Sequence, residues 1–267
     1  MLWDASAIKG FTIEATDGPL GSVSDFLFDD DNWRIKWLVV DTGYWLPGRL
    51  VLIHPRALGK PDASLRQFPV TLTKRQVTGS PSIATDQPVS QQMEARLYDY
   101  YGWDPAWGET YFQSGAIASR LVPPPYLAGA FPHAAVHDSM AADGSDRHLR
   151  SMSALAGYHI HASDGQIGSA TDFLIDDDGW LLRFVKIDTG TWLPGEQVLI
   201  APSTVKQIDW NDTTMTVSAT RAEVKGSPKF DPSKTADGAY QRSLFLELPI
   251  YWAPRTILIS GLIATGD

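Results

Sequence analysis

The sequence predicts a mainly β protein that contains two tandem small β-barrels, short helices and a long linker. Three observations lead to this fold class. The chain repeats itself without a gap, each copy alternates apolar and polar residues between tight turns, and 267 residues suffice for two small domains.

The repeat has an offset of 147 residues, which places Gly10–Pro55 on Gly157–Pro202 with more than half of the positions identical. The octapeptide "DTGYWLPG" from Asp41 returns as "DTGTWLPG" from Asp188. Because a gapless match fixes the length of every loop between the strands, we expect one fold for both halves and attribute it to an internal duplication.

Each copy shows the pattern of short β-strands. "FTIEA" and "YHIHA" alternate apolar and polar residues, and each is followed by an Asp-Gly pair typical of hairpin turns. Three further strands are predicted in each copy, namely "GSVSDFLF", "WRIKWLVVD" and "RLVLI" in the first and their counterparts in the second. A turn at Asn211-Asp212 predicts another hairpin in the second copy, which is weaker in the first. Five or six short strands favour a small barrel.

Helices are predicted at two kinds of position. Thr73 with Gln76, and Thr220 with Glu223, have the spacing of a capping box at a helix start. Apolar and aromatic residues recur at helical spacing from Val89 to Tyr101, which predicts an amphipathic helix.

The domain boundaries follow from the change in composition. Residues 113–150 are rich in Ala, Gly, Ser, Pro and His and are predicted to be a linker. We therefore expect one barrel with a helical tail in residues 1–112 and a second barrel in residues 151–267.

The charge balance excludes several classes of partner. Twenty-two Lys and Arg face 31 Asp and Glu, a net charge of −9, and no basic cluster occurs, which argues against nucleic acid binding. No cysteine is present, so thiolate chemistry is excluded. The N-terminus lacks a signal-peptide core and the apolar run "TILISGLIA" is too short to span a bilayer, so we expect no membrane insertion and a cytoplasmic location.

The repeated stretch that runs from "DGPLGSVSDF" through an acidic turn to "DTGYWLPG" resembles the PRC-barrel domain, and "PVSQQMEARLYDYYGW" is similar to the helical tail of tandem bacterial members. That family takes in the cytoplasmic domain of the photosynthetic reaction-centre H subunit and the C-terminal domain of a ribosome-maturation factor. The resemblance implies a protein-docking barrel with no known catalytic residues. The chain departs from the H subunit in lacking its transmembrane helix and from the maturation factor in lacking its N-terminal domain, so neither role carries over.

The acidic runs Asp29-Asp30-Asp31 and Asp176-Asp177-Asp178 have two interpretations. Carboxylate oxygens suit Ca²⁺ or Mg²⁺, but a calcium loop spaces its acids at alternate positions. A hairpin turn, closed by Asn32 or Gly179, is the interpretation that the pattern favours.

Asp25 and Asp172 also allow two roles. Buried acids can be acid–base groups with shifted pKa values, or they can accept hydrogen bonds from backbone N–H or indole groups. No histidine, nucleophile or second carboxylate stands at a set spacing from them, so we favour the structural role.

Histidines provide the remaining candidate metal ligands. His159 and His161 lie on one face of a predicted strand, and His133 and His137 are four apart in the linker. The duplication does not share the first pair, and solvent-facing histidines are the favoured interpretation of both.

The aromatic loops are the candidate interaction surface. Each Trp-Leu-Pro either folds back as a barrel plug or is displayed as a contact, and both interpretations remain open. The predicted surface comprises the two loops and the end of the helix: Trp45, Leu46, Pro47, Trp192, Leu193, Pro194, Tyr100 and Tyr101.

The sequence thus favours a non-enzymatic interaction or scaffold protein with no cofactor and an unidentified protein partner. One alternative is a metal-binding or enzymatic module that uses the acidic turns or His159 and His161. Another, from the resemblance alone, is a peripheral protein that docks to a photosynthetic or other membrane complex. We also expect the two barrels to pair, within one chain or in a homodimer.

Overall fold

The computed structural model describes residues 1–44, 46–80, 91–102, 148–192 and 197–227, together with residues 231, 234, 237, 239 and 240. The protein is mainly β, as predicted, with two mixed sheets and a few short helices. Trp45, Leu193, Pro194, His133 and His137 lie outside the described residues.

The first half contains β1 (Leu2–Asp4), β2 (Thr12–Ala15), β3 (Gly18–Asp29), β4 (Ile35–Asp41), β5 (Leu50–Ile53) and β6 (Gln67–Pro69). Strands β2 to β6 form one sheet with the order β5-β4-β3-β2-β6. Neighbouring strands in it are antiparallel except for β2 and β6, which are parallel.

The second half contains β7 (Leu149–Ser151), β8 (His159–Ala162), β9 (Gly165–Asp176), β10 (Leu181–Asp188), β11 (Gln197–Ile200), β12 (Val205–Asp209) and β13 (Thr214–Val217). Its sheet has the order β11-β10-β9-β8-β13, equivalent to that of the first half, with β12 added beside β13. The β12–β13 hairpin turns at Asn211-Asp212, as the sequence predicts. In the first half only isolated bridges, Leu58 to Val70 and Asp62 to Gln67, stand in its place.

The predicted closed barrel is wrong for the described strands, because each ladder stays open at its ends. In the first half the chain leaves β5 through a 3-10 turn at Pro55–Ala57 and does not pair β5 with β6. The last strand, β6, is three residues long and ends in Pro69, which has no N–H to donate to a further ladder.

The described helices are short, and two of them begin where the capping signals predict. Thr73 and Thr220 both form complete capping boxes. The helices are α1 (Ala5–Ile8), α2 (Lys74–Gly79), α3 (Gln91–Tyr101), α4 (Met152–Leu155) and α5 (Arg221–Lys225). Helix α3 lies within the predicted span of Val89 to Tyr101.

Helix α3 covers the outer face of the first sheet. Buried Leu97 packs in one cluster with Trp37 and Leu52, and the Tyr98 ring lies 5.5 Å from that of Trp37. The amphipathic pattern of the helix is therefore explained by packing on its own half.

The two halves exchange their first strands. Strand β1 pairs antiparallel with β9 of the second half, and β7 pairs antiparallel with β3 of the first half. The registers are equivalent under the repeat, since Leu2 faces Asp176 and Leu149 faces Asp29. The structure thus interlocks the halves through a reciprocal contact.

A second symmetric contact joins the halves at the acidic turns. The backbone N–H of Ile35 donates to the carbonyl of Trp180 at 2.8 Å, and that of Leu182 donates to the carbonyl of Trp33 at 2.9 Å. One buried apolar cluster contains residues of both halves. The halves therefore share a core.

The described helices include none that is long and apolar enough to cross a membrane.

Candidate functional site

The first candidate site is the loop between β4 and β5, which is held from both ends. At its start Gly21 of β3 approaches the Asp41 carbonyl so closely that a Cβ at Gly21 would overlap it. The Asp41 carboxylate accepts the N–H of Gly43 at 2.9 Å, and buried Thr42 has its hydroxyl 2.7 Å from the carbonyl oxygens of Leu46 and Arg49. Gly43 turns the chain with φ of +59°.

The tip of this loop carries Tyr44, which is fully exposed at 101%. Pro47 beside it is also exposed and Leu46 is half-buried. A large aromatic side chain on a loop that is already held in place loses little side-chain and backbone entropy on binding. The same side chain on a mobile loop would lose more.

The loop is tied to α2 by Arg49. Its Nη1 donates to the carbonyl of Thr78 at 2.8 Å, and its Nη2 donates to the carbonyl of Ser80. The end of α3 reaches the same short helix, because the Tyr100 hydroxyl donates to the carbonyl of Gln76 at 2.8 Å. We call the residues Tyr44, Pro47 and Tyr100 the aromatic rim.

The two tyrosines at the end of α3 have different environments. Tyr100 is 43% exposed, whereas Tyr101 is half-buried with its ring perpendicular to that of Tyr100 at 5.0 Å. Burial raises the pKa of the Tyr101 hydroxyl. Tyr100 therefore presents part of its ring at the surface, with the half-buried Tyr101 ring in contact with it.

The equivalent loop of the second half, between β10 and β11, has the same hydrogen bond at its turn but different side chains at its surface. Asp188 accepts the N–H of Gly190 at 2.8 Å, as Asp41 does in the first half. Thr191 stands where Tyr44 does, and Trp192 is half-buried against the core, with the guanidinium carbon of Arg221 4.9 Å from its ring centroid. Trp192 therefore packs against the core and is not displayed as a contact.

The acidic turns hold the exchanged strands. Asp30 accepts from Arg150 Nε at 3.0 Å and lies 2.8 Å from His148 Nδ1. At the equivalent position, Asp177 accepts from the Trp3 indole at 2.9 Å and from the amino group of Met1. The hydrogen bond with Asp30 raises the pKa of His148.

The neighbouring aspartates stabilise the turns themselves. Asp29 accepts the N–H groups of Asp31 and Asn32, and Asp176 forms an ion pair with Arg183 at 2.6 Å. In the described part of the chain, no group of three or more His, Cys, Asp or Glu side chains could hold a metal ion. Turn closure and strand docking thus account for the carboxylates of Asp29, Asp30, Asp176 and Asp177.

Asp25 and Asp172 bind the short helix that follows each exchanged strand. Asp25 accepts the N–H of Ser153 at 3.1 Å and its hydroxyl at 2.7 Å, and Asp172 accepts the N–H and hydroxyl of Ser6 at 3.1 and 2.6 Å. Both aspartates thus accept hydrogen bonds from backbone N–H groups, which is the structural role that the sequence favours.

Among the described residues, Asp172 has a second carboxylate beside it and Asp25 does not. The local sequence around Asp172 gives no sign of this pair. Asp4 of β1 lies near Asp172, and Lys186 bridges them, with its Nζ donating to Asp4 and 3.8 Å from Asp172. Burial raises the pKa of Asp4, and the neighbouring Asp172 acts in the same direction. The pair was missed because its members are far apart in the sequence.

The histidine strand brings together no metal centre among these residues. His159 is exposed and its Nδ1 lies 3.4 Å from the Ser169 hydroxyl, while His161 is half-buried.

Comparisons with known proteins do not extend this description. No protein-family model matches the sequence, and no curated protein matches it either.

Proposed function

We propose that the protein is a non-enzymatic interaction module of the PRC-barrel type, which acts in the cytoplasm and binds a protein partner through the aromatic rim of its first half. The observation that supports this most strongly is Tyr44, fully exposed at the tip of a loop that hydrogen bonds brace at both ends. Exposed tyrosines on rigid supports are frequent hot spots of protein interfaces.

The supporting contacts favour a preorganised surface. Arg49 ties the loop to α2, and Tyr100 reaches the same helix from α3. Three separate elements therefore hold the rim, so that a partner would meet it with little further ordering. The shared core of the two halves adds a rigid base.

A photo-crosslinking amino acid at position 44 tests the proposal in the native host, with the same group at Thr191 as the matched control. Both positions are exposed tips of equivalent loops. We expect discrete adducts with a protein from position 44, and competition by excess wild-type protein but not by Tyr44→Ser protein.

The opposite pattern would refute the proposal. If positions 44 and 191 gave the same adducts in the same yield, the contacts would be non-specific. Adducts from position 191 alone would place the interface in the second half.

A further inference from the structure

The second half contains a cleft of about 580 Å³ beside its β10–β11 loop. Ser169 and Thr171 of β9 form one wall, and Thr191, Trp192 and Arg221 form the other, with Asp188 at the start of the loop. Small-molecule sites commonly have volumes of roughly 300–1,000 Å³ with an aromatic wall and a few placed polar groups. The cleft has this size and one aromatic wall, and most of its other lining residues are polar.

Arg221 is the cation of this cleft. Its backbone N–H donates to Asp164 at 2.7 Å, which fixes the first residue of α5. Its side chain lies over the Trp192 ring, and its Nε is buried with no hydrogen-bond partner. Among the described residues no carboxylate forms an ion pair with this guanidinium, whereas Arg150 and Arg183 each have one.

The other polar groups of the cleft are partly occupied. Asp188 accepts the Gly190 N–H, and the Thr171 hydroxyl donates to the Lys186 carbonyl. Thr191 is exposed, and its hydroxyl has no hydrogen-bond partner among the described residues. A ligand would therefore meet one cation, the Thr191 hydroxyl, the exposed Gln166 side chain and the Trp192 indole, beside the Asp188 carboxylate.

This set favours a carboxylate over a phosphate. A guanidinium binds a carboxylate through two parallel hydrogen bonds, and one positive charge balances one negative charge. A phosphate dianion would meet a single arginine and, in the same cleft, the Asp188 carboxylate, which repels it. The Trp192 indole and the apolar part of the cleft suit the carbon skeleton of an organic acid.

We propose that this cleft binds a small organic carboxylate, with Arg221 as the residue that holds the carboxylate and Trp192 as the wall that contacts its carbon skeleton. The inference is independent of the aromatic rim, which lies in the first half. There, Lys74 occupies the position of Arg221 in the repeat and its amino group lies beside Gly18.

Titrations of the full-length ¹⁵N-labelled protein with benzoate, butyrate and inorganic phosphate at constant ionic strength test this site. We expect saturable shifts of the Ser169, Gly190 and Thr191 amides and of the Trp192 indole with at least one of the carboxylates, at millimolar concentrations. Arg221→Gln should weaken binding by about 10-fold or more, because the charged bidentate contact is lost. Arg221→Lys should lie between the two, and Lys74→Gln is the matched control that should bind like the wild type.

Three outcomes would overturn the inference. Shifts that do not saturate below about 20 mM, or that persist in Arg221→Gln protein whose other resonances are unchanged, would remove Arg221 as the binding residue. Phosphate binding as tight as that of both carboxylates would remove the assignment to carboxylates.

Discussion

The two halves of this protein have the same strand order and differ in the side chains on that common frame. The β4–β5 and β10–β11 loops both start with an Asp-Thr-Gly turn, yet the exposed residue that follows is Tyr44 in one and Thr191 in the other, where the next residue, Trp192, contacts Arg221. Both exchanged strands dock in the same register, yet their aspartates have different partners. Asp25 accepts from the hydroxyls of Ser151 and Ser153 and pairs with Lys9, whereas Asp172 accepts from Ser6 and lies near Asp4 and Lys186. Backbone constraints are thus common to the halves, and surface chemistry is specific to each.

The strongest test of the common frame is the glycine behind each loop. A Cβ at Gly21 would overlap the Asp41 carbonyl, and a Cβ at Gly168 would overlap the Asp188 carbonyl, in both cases in backbone that cannot move without separating two strands. We expect Gly21→Ala and Gly168→Ala each to lower the free energy of unfolding by roughly 3–5 kcal/mol. Urea denaturation measures both.

Gly43→Ala and Gly190→Ala are the controls for that prediction. Both glycines have positive φ, but a Cβ at either meets nothing within 4 Å. The cost should therefore be about 1–2 kcal/mol, from backbone strain alone. If Gly21→Ala costs no more than Gly43→Ala, the close approach of the strands is not what requires glycine.

The next prediction concerns His54, whose counterpart in the repeat is Ala201. His54 is buried against Trp37 and Tyr98, and burial, assisted by Lys36 and Arg56, lowers its pKa from 6.5 to about 4. A depressed histidine pKa means that the native state binds its proton less readily than the unfolded state. Its contribution to stability is therefore complete above pH 6.5 and is lost as the pH falls towards 4, up to about 3 kcal/mol.

Comparison of wild type with His54→Asn measures this loss, because Asn can still accept the Arg56 N–H that His54 accepts at 3.1 Å. The protein with His54 should lose more free energy of unfolding than the variant between pH 6.5 and 4. Both proteins are compared in a His148→Gln background, because the raised pKa of His148 makes its own contribution to stability fall as the pH rises. Parallel pH curves for the two proteins would contradict the prediction.

Much of the frame could be predicted from the sequence, because it depends on local patterns. Alternation predicts the strands, and the threonine caps of α2 and α5 follow from side chains three residues apart. The strand exchange could not be read locally, because β1 and β7 are three residues long and their partners are more than 100 residues away. The repeat did contain a signal, since the offset continues upstream through Leu2 with Leu149 and Ser6 with Ser153.

The candidate site was only partly predictable. Pro47 and Tyr100 are exposed, but Tyr101 and Trp192 are half-buried, and Tyr44 was not among the predicted surface residues. Whether a loop aromatic packs or is displayed depends on neighbours from other elements, such as Arg221 of α5 over Trp192. The signal for Tyr44 was the one difference within the repeated octapeptide, Tyr in one copy and Thr in the other.

The docking of the two exchanged strands should differ in strength. Asp30 holds the His148 imidazole and the Arg150 guanidinium of the β7 segment, whereas Asp177 holds the Trp3 indole and an amino group. Asp30→Asn should lower the free energy of unfolding by about 1 kcal/mol, since the partners are partly exposed. Amide exchange should quicken at Asp30, whose N–H donates to the His148 carbonyl, and stay unchanged at Asp177, whose N–H donates to the Met1 carbonyl. Equal acceleration at both amides would show that the two contacts open together.

The smallest expected effect on stability belongs to Tyr44, and it separates the two loops most clearly. Tyr44 is fully exposed, and the turn beneath it is held by Asp41, Thr42 and Arg49 and not by its own ring. Tyr44→Ser should therefore change the free energy of unfolding by less than about 0.5 kcal/mol. Trp192→Ser should cost about 1–2 kcal/mol, because it exposes core surface and removes the contact with Arg221. A loss above about 1 kcal/mol for Tyr44→Ser would mean that the ring packs within the chain, and the aromatic rim would then lose its strongest support.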